Sequence, residues 1–319
     1  MIGVYINLSQ IEKMASCITS LLKDFEPDSF TNTNYYPAPG TDKETLTRYF
    51  LVMVAMDHRL SRPGRPYEGY IDGVKYHGAD LLYKLGMMKL STDPDFFSPE
   101  RLAIISKEDV KKWLSPKGVP TPLDLDVRTK LLRDIGVKLN ALYGGSAFRL
   151  VENSKGYLRR GGDGLVERLK IFLAYSDPVE KKPFLLAKFL ERRRVIEILD
   201  HWNKEVPVDN HVSRLAIRWG LVDIDSNTLE RIAGNTSFTM DEDVLLRYSI
   251  RIAFKLLSQR SGIDPFILDD FLWSFGRSLC RRDNPLCIED RCPLSPCCRA
   301  FRDRLYMVGE HKYYETWYY

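Results

Sequence analysis

Residues 206–222 read VPVDNHVSRLAIRWGLV. A proline-bearing turn runs into a helix there, and Asp209 stands at the junction, where a carboxylate meets the free amides and the positive end of the first helical turn. On spacing alone Asp209 is an ordinary N-cap. Its neighbours Val206, Val208 and Val212 keep water scarce, however, and a carboxylate in such surroundings is also suited to stabilising positive charge on a substrate.

Downstream, five of the six cysteines fall within GRSLCRRDNPLCIEDRCPLSPCC, residues 276–298. Six residues separate Cys280 from Cys287, four separate Cys287 from Cys292, and five separate Cys292 from Cys298. A disulfide framework at this density would leave an odd cysteine over. Zinc favours paired CxxC steps, which these gaps are not, so the spacing predicts a four-iron, four-sulfur cluster on Cys280, Cys287, Cys292 and Cys298. Cys297 is the rival for the last position, and zinc and disulfides are the alternative chemistries. Arg277, Arg281, Arg282, Arg291, Arg299, Arg302 and Arg304 gather around the loop. They read either as a phosphate-facing surface or as a solvated one.

The remaining composition is that of an ordinary globular chain: 319 residues, 44% apolar, 28% charged, net charge +4. No basic region followed by an apolar one opens the chain, and no window reaches the apolar length of a membrane span, so a cytoplasmic protein without membrane contact is expected. Apolar positions recur at helical spacing in 8–25, 42–60, 127–143, 163–176 and 244–259, with no strand pattern of comparable length. Turn chemistry breaks the pattern at 32–40, 62–73, 115–122 and 161–164. Asp177-Pro178-Val179-Glu180 reads as a helix start, with an N-cap, a proline at the first position and an acid at the third.

The 206–222 segment resembles the part of the helix-hairpin-helix DNA glycosylases that carries their essential aspartate, V-D-x-H-V-x-R-x-x-x-R-x-G-L. Val208, Asp209, His211, Val212, Arg214, Arg218, Gly220 and Leu221 all fall in register. Trp273, Gly276, Arg277 and Cys280 resemble the helix that enters the iron–sulfur loop of endonuclease III, although the middle cysteine gap is two residues longer than that family's C-x6-C-x2-C-x5-C. YFLVMVAMDHRLS, residues 49–61, is similar to the helix and loop with which these enzymes probe a base pair. Asp57, His58 and Arg59 occupy that loop, with arginine where glutamine is usual, and His58 reads equally as a surface histidine.

One family element is missing. No glycine-rich hairpin L-P-G-V-G-x-K-T-A precedes Asp209; AYSDPVEKKPFLLAKFLERRR stands in its place, with Lys181 and Lys182 opening a helix where the bifunctional members carry their lysine nucleophile. The bland alternative is a pair of surface lysines in a first turn. LYGGSAFRLVENSKGYL, residues 142–158, together with the Lys-Lys helix, resembles the queuosine nucleotide N-glycosylase (queuosine salvage) family, which lacks an iron–sulfur loop. The Lys-Lys helix is also similar to that of the archaeal 8-oxoguanine DNA glycosylases.

The resemblance implies an all-α fold with a central helical barrel over 46–204, a lobe made of 1–45 and 205–319, and the cysteine loop at 280–298. It implies a DNA glycosylase, possessing lyase activity if a lysine attacks, in base excision repair. Asp209 and Lys181 or Lys182 would be catalytic, His58, Arg59 and His211 substrate-binding, and Arg281 and Arg282 DNA-binding. The partner would be damaged duplex DNA, or else a modified nucleotide such as a 7-deazaguanine nucleotide, and the protein a monomer. A non-catalytic iron–sulfur protein that binds nucleic acid is the competing class. The aromatic tail, Tyr306 to Tyr319, reads as packing over a groove or as a stacking surface for a base.

Overall fold

The computed structural model describes residues 2–61 and 64–319. Two compact units compose it, one of Met1–Asp28 and Lys204–Glu315, the other of Ser29–Asn203 and Thr316–Tyr319. Residues 29–45 and 316–319 thus lie with the middle of the chain, outside the lobe drawn for them from the sequence. Aromatic packing accounts for the shift: Phe30 lies 4.4 Å from the Phe189 ring and Tyr36 6.0 Å from Phe50, while Trp317 Nε1 donates to the Leu173 carbonyl at 2.8 Å.

In chain order, the first unit opens with β1 (Val4–Ile6) and α1 (Leu8–Leu22). The second unit follows with α2 (Lys43–Met56), β2 (Glu68–Ile71), β3 (Val74–His77), α3 (Gly78–Thr92), α4 (Pro99–Ile104), α5 (Lys107–Leu114), α6 (Leu125–Tyr143), α7 (Ala147–Glu152), α8 (Leu165–Leu169) and α9 (Lys181–Arg192). The first unit then resumes with α10 (Asn210–Trp219), β4 (Val222–Ile224), α11 (Ser226–Ala233), α12 (Met240–Ser261), α13 (Pro265–Ser278) and α14 (Arg299–Arg302). The architecture is mostly helical, as the periodicity predicts.

In the second unit α2 is the core helix. Every residue from Tyr49 to Met56 is fully buried, which an apolar run without polar interruption requires of a helix. Phe50 stacks on Phe189 of α9 at 4.9 Å, which sets α9 against it, and Tyr175 of the preceding turn donates to the Leu51 carbonyl at 2.6 Å. The helix expected over 163–176 is broken. It stops after Leu169 because the Leu173 amide donates to the Asp134 carboxylate at 2.7 Å and Lys138 takes the Ile171 carbonyl at 2.6 Å. Of the break read at 62–73, Arg62 and Pro63 lie outside the described residues, and the remainder holds a hairpin. Its turn, Asp72-Gly73, has φ of 51° and 79°. Asp-Gly between alternating residues is the sequence signal for such a hairpin.

In the first unit β1 pairs antiparallel with β4 and α1 lies along α12, so the two ends of the chain share one core. Trp219 of α10 packs edge-on against Phe254 of α12 and Phe275 of α13 at 6.4 and 5.7 Å. Among the described residues no helix is long and apolar enough to cross a membrane.

Candidate active site and cysteine loop

The sequence candidates fall into two groups, one in each unit. In the second unit the two lysines are not surface residues: Lys181 is 6% exposed and Lys182 0%. The helix they open starts at Lys181, four residues beyond the expected cap, after Glu180 at φ 62°. Asp177 still satisfies that end, accepting from the Val179 and Lys181 amides, both at 3.0 Å. Lys182 Nζ donates to the Ala55 carbonyl at 2.7 Å and lies 3.2 Å from His58 Nδ1. Burial, then the charge of Lys181, holds the Lys182 amine well below the usual lysine range, against the opposing pull of Asp57. Lys181 Nζ stands 3.6 Å from the Asp57 carboxylate.

His58 is likewise enclosed, at 1% exposure, which removes the surface reading. Arg128 of α6, fully buried, holds its loop: Nη1 donates to the Met56 carbonyl and Nη2 to the His58 carbonyl, both at 2.6 Å. Burial and then the charges of Arg128 and Lys182 push the His58 imidazole well down. Arg59, at φ 47°, donates to the Thr316 carbonyl at 3.2 Å and stands 3.6 Å from Asp124. His58 Nε2 and Arg59 Nε are buried and make no hydrogen bond among the described residues. The Gly-Gly-Ser run is explained by packing. Gly144 and Gly145 turn the chain at positive φ, and the Glu44 carboxylate then accepts from the Ser146 hydroxyl and from the Ala147 and Phe148 amides at 2.6 to 2.9 Å.

In the first unit Asp209 is the N-cap of α10, accepting from the Val212 amide at 2.8 Å among the buried side chains of Val206, Val208 and Val212. His211 turns away from the helix start and packs on Gly276 of α13, with Nδ1 3.4 Å from Arg214; burial lowers its pKa. The two arginines of the motif face the cysteine loop. Arg214 pairs with Glu310 and donates to the Gly276 and Cys280 carbonyls at 3.0 and 3.1 Å. Arg218 donates to the Val308, Arg281 and Arg282 carbonyls at 2.7 to 2.8 Å and reaches Cys280 Sγ at 3.5 Å.

Cys280, Cys287, Cys292 and Cys298 are free thiols and line one cavity with Arg218, Trp219 and Leu294. Cys297, the rival ligand, is joined instead to Cys17 of α1. Among the described residues no three His, Cys, Asp or Glu side chains are gathered tightly enough for one metal ion. Four thiols around one cavity are the kind of donor set that an iron–sulfur cluster or a zinc ion uses. Burial pushes the thiols of Cys287, Cys292 and Cys298 up, Cys298 to about 12.

With this helical body in view, the solved structures supply a match. The chain is similar to a trapped endonuclease III–DNA covalent intermediate, an estranged-adenine complex, with TM-score 0.50, 13% identity and coverage of 94% of this chain and 99% of that one. This chain shares the fold of endonuclease III. A thermostable thymine-DNA glycosylase is also similar, with TM-score 0.46, 14% identity and coverage of 92% and 97%. No family model and no curated protein matches the sequence.

Within this endonuclease III fold the residues that sequence reasoning missed are those that act across long separations. Arg128, Asp57 as the partner of Lys181, and Cys17 were not singled out. The apolar run VMVAM leading directly into Asp57-His58 was the available sign that the loop is buried. Arg281 is exposed on the cysteine loop, whereas Arg282 is half-buried, 3.7 Å from Asp283 and 4.0 Å from Glu310.

Proposed function

We propose that this chain is an N-glycosylase that cleaves the base–sugar bond of a damaged or modified nucleotide in DNA, with lyase activity through Lys181. The observation that carries the reading is the buried lysine pair at the first turn of α9, with Asp57 3.6 Å from Lys181 Nζ. A buried amine with a carboxylate beside it to take its proton is a usable nucleophile. Lys182 is fully enclosed and spends its amine on the Ala55 carbonyl, which leaves Lys181 as the nucleophile. Lys181 attacks C1′; the base leaves with the electron pair of the glycosidic bond and is protonated from solvent; the nitrogen gives up its proton to Asp57. Asp209 is the carboxylate that the family resemblance assigns to stabilising positive charge on the sugar. Opening of the sugar ring then converts this N,O-acetal to a Schiff base, the remaining N–H proton passing to the ring oxygen as its bond to C1′ breaks.

Cys280, Cys287, Cys292 and Cys298 would hold a four-iron, four-sulfur cluster. Held by these four residues, it would tie residues 280–298 together, with Arg281 exposed on the loop to meet a phosphate. The fold of endonuclease III supports this reading as analogy.

The test is release of base from lesion-bearing duplex DNA, with borohydride in a parallel reaction. Wild type and Lys182→Ala should give a covalent DNA complex, and Lys181→Ala none. Asp209→Asn should lose base release by orders of magnitude while it folds and keeps its iron. Trapping that survives in the double lysine variant would exclude both residues.

A second reading is supported by Asp177 and Glu44. Their carboxylates occupy the amides at the starts of α9 and α7, so the chain does not present α9 to a DNA phosphate as hairpin enzymes are expected to. A free modified nucleotide needs no such grip. Activity on a 7-deazaguanine nucleoside 5′-monophosphate, with no duplex binding at low salt, would establish this salvage-type function instead.

A further inference from the structure

Three basic residues spaced four apart on α12, Arg247, Arg251 and Lys255, all reach the extended stretch that enters α10. Lys255 Nζ donates to the Lys204 carbonyl at 2.6 Å, Arg251 pairs with Glu205 at 2.5 Å, and Arg247 donates to the Val208 carbonyl at 3.2 Å. Residues four apart share a helix face, so the stretch is laid antiparallel along one stripe of α12 up to the residue before Asp209.

Arg247 differs from the other two in its burial. Its guanidinium is 0% exposed, as is the Asp243 carboxylate that pairs with its Nε at 3.0 Å, and the second Asp243 oxygen lies 2.8 Å from His311 Nε2. A fully buried ionic network is a poor way to stabilise a fold, because well-packed apolar residues do as well without the desolvation cost. What this network provides is direction. The Val208 carbonyl belongs to the same peptide unit as the Asp209 amide, so the bond from Arg247 sets the plane from which the Asp209 side chain departs.

We propose that Arg247, held by Asp243 and His311, is a positioning residue for Asp209: it fixes the Val208–Asp209 peptide so that the carboxylate stays in its N-cap orientation. This rests on the reading of Asp209 as the carboxylate that stabilises the sugar cation. Freed from Arg247, the peptide can rotate, and the carboxylate then moves relative to both the Val212 amide and the substrate. A displacement on the order of 1 Å at such a group costs on the order of a hundredfold in rate.

The experiment uses Arg247→Lys in the full-length, iron-replete chain, with hydrogen exchange at the Val212 amide as a readout that needs no substrate. Exchange there should rise at least tenfold while the α12 amides stay protected. On whichever lesion duplex the wild type accepts, the single-turnover rate should fall ten- to a hundredfold with KM unchanged, and no further loss should appear in the Asp209→Asn background. Should Arg247→Lys fail to fold, His311→Asn, which removes the bond from the imidazole to Asp243, should show the same effects in smaller degree. Arg251→Ala should leave Val212 exchange as in wild type. Wild-type exchange and rate in Arg247→Lys, or an equal rate loss with and without the Asp209 carboxylate, would overturn the assignment. If Asp209→Asn itself releases base at the wild-type rate, the catalytic reading of Asp209 falls, and the positioning role falls with it.

Discussion

The imidazole of His211 lies over Gly276 so closely that a Cβ on that residue would collide with Nε2 and Cε1, and it would also crowd the Arg214 guanidinium. The two sequence motifs that are 65 positions apart, counting from His211 to Gly276, are therefore halves of one contact. Gly276→Ala should lower stability by about 1–3 kcal/mol, the usual cost of forcing extra volume into a packed site. In a His211→Ala background the same change should cost clearly less, as urea unfolding of the two single variants and the double variant would reveal. Equal costs in both backgrounds would mean that the helices separate instead.

Acid should destabilise the second unit through His58. Burial and the neighbouring Arg128, Lys182 and Lys181 hold its folded pKa well below the ordinary 6.5, so only the unfolded chain takes up this proton as the pH drops beneath 6.5. The unfolded state then binds more protons, and stability is highest above 6.5 and falls below it. One such group contributes at most about 1.4 kcal/mol per pH unit. Denaturation curves of His58→Asn collected at several pH values should show a flatter dependence over that window than wild type.

Thiol counting separates the roles of the six cysteines. Denatured, metal-free protein should titrate four thiols without reductant and six after reduction, four free residues plus the Cys17–Cys297 pair. Replacing Cys280, Cys287, Cys292 or Cys298 by serine should abolish iron binding, whereas Cys297→Ser should retain it. Colourless protein with stoichiometric zinc would remove the cluster from the account.

The arginines of the loop should not be equal in DNA binding. Arg281 is exposed, while Arg282 faces the carboxylates of Asp283 and Glu310. Arg281→Ala should reduce the slope of log affinity against log salt by roughly one contact, and Arg282→Ala by less. Identical slopes for the two variants would argue that both, or neither, touch phosphate.

Much of this was legible because it is local. Asp209 at a helix start, the apolar faces of α1 and α12 and the four-cysteine spacing are all patterns within a few turns of chain. Helix lengths were misread where a distant side chain intervened, as when Asp134 takes the Leu173 amide and ends α8. The burial of Lys181, Lys182 and His58 was hidden for a related reason: lysine and histidine are exposed by default, and only the three-dimensional meeting of α2, α6 and α9 reverses that. Cys17 gives no signal at all in a window, since its partner is 280 positions away.

The pairing of β1 with β4 sets an order of events during synthesis. Val4 is opposite Ile224, so β1 waits while about 220 further residues are made before β4 is there to pair with it. The whole of 29–203 is translated in that interval and has its own core to collapse around. The first unit, which holds both Asp209 and the cysteines, therefore closes after 29–203, and its closure captures a helix that has stood unpartnered since it emerged. Until then α1 leaves Ile11, Met14 and Ile18, buried in the finished fold, without cover. A nascent-chain protease assay should find α1 cut until residues beyond α12 have emerged, and resistant afterwards.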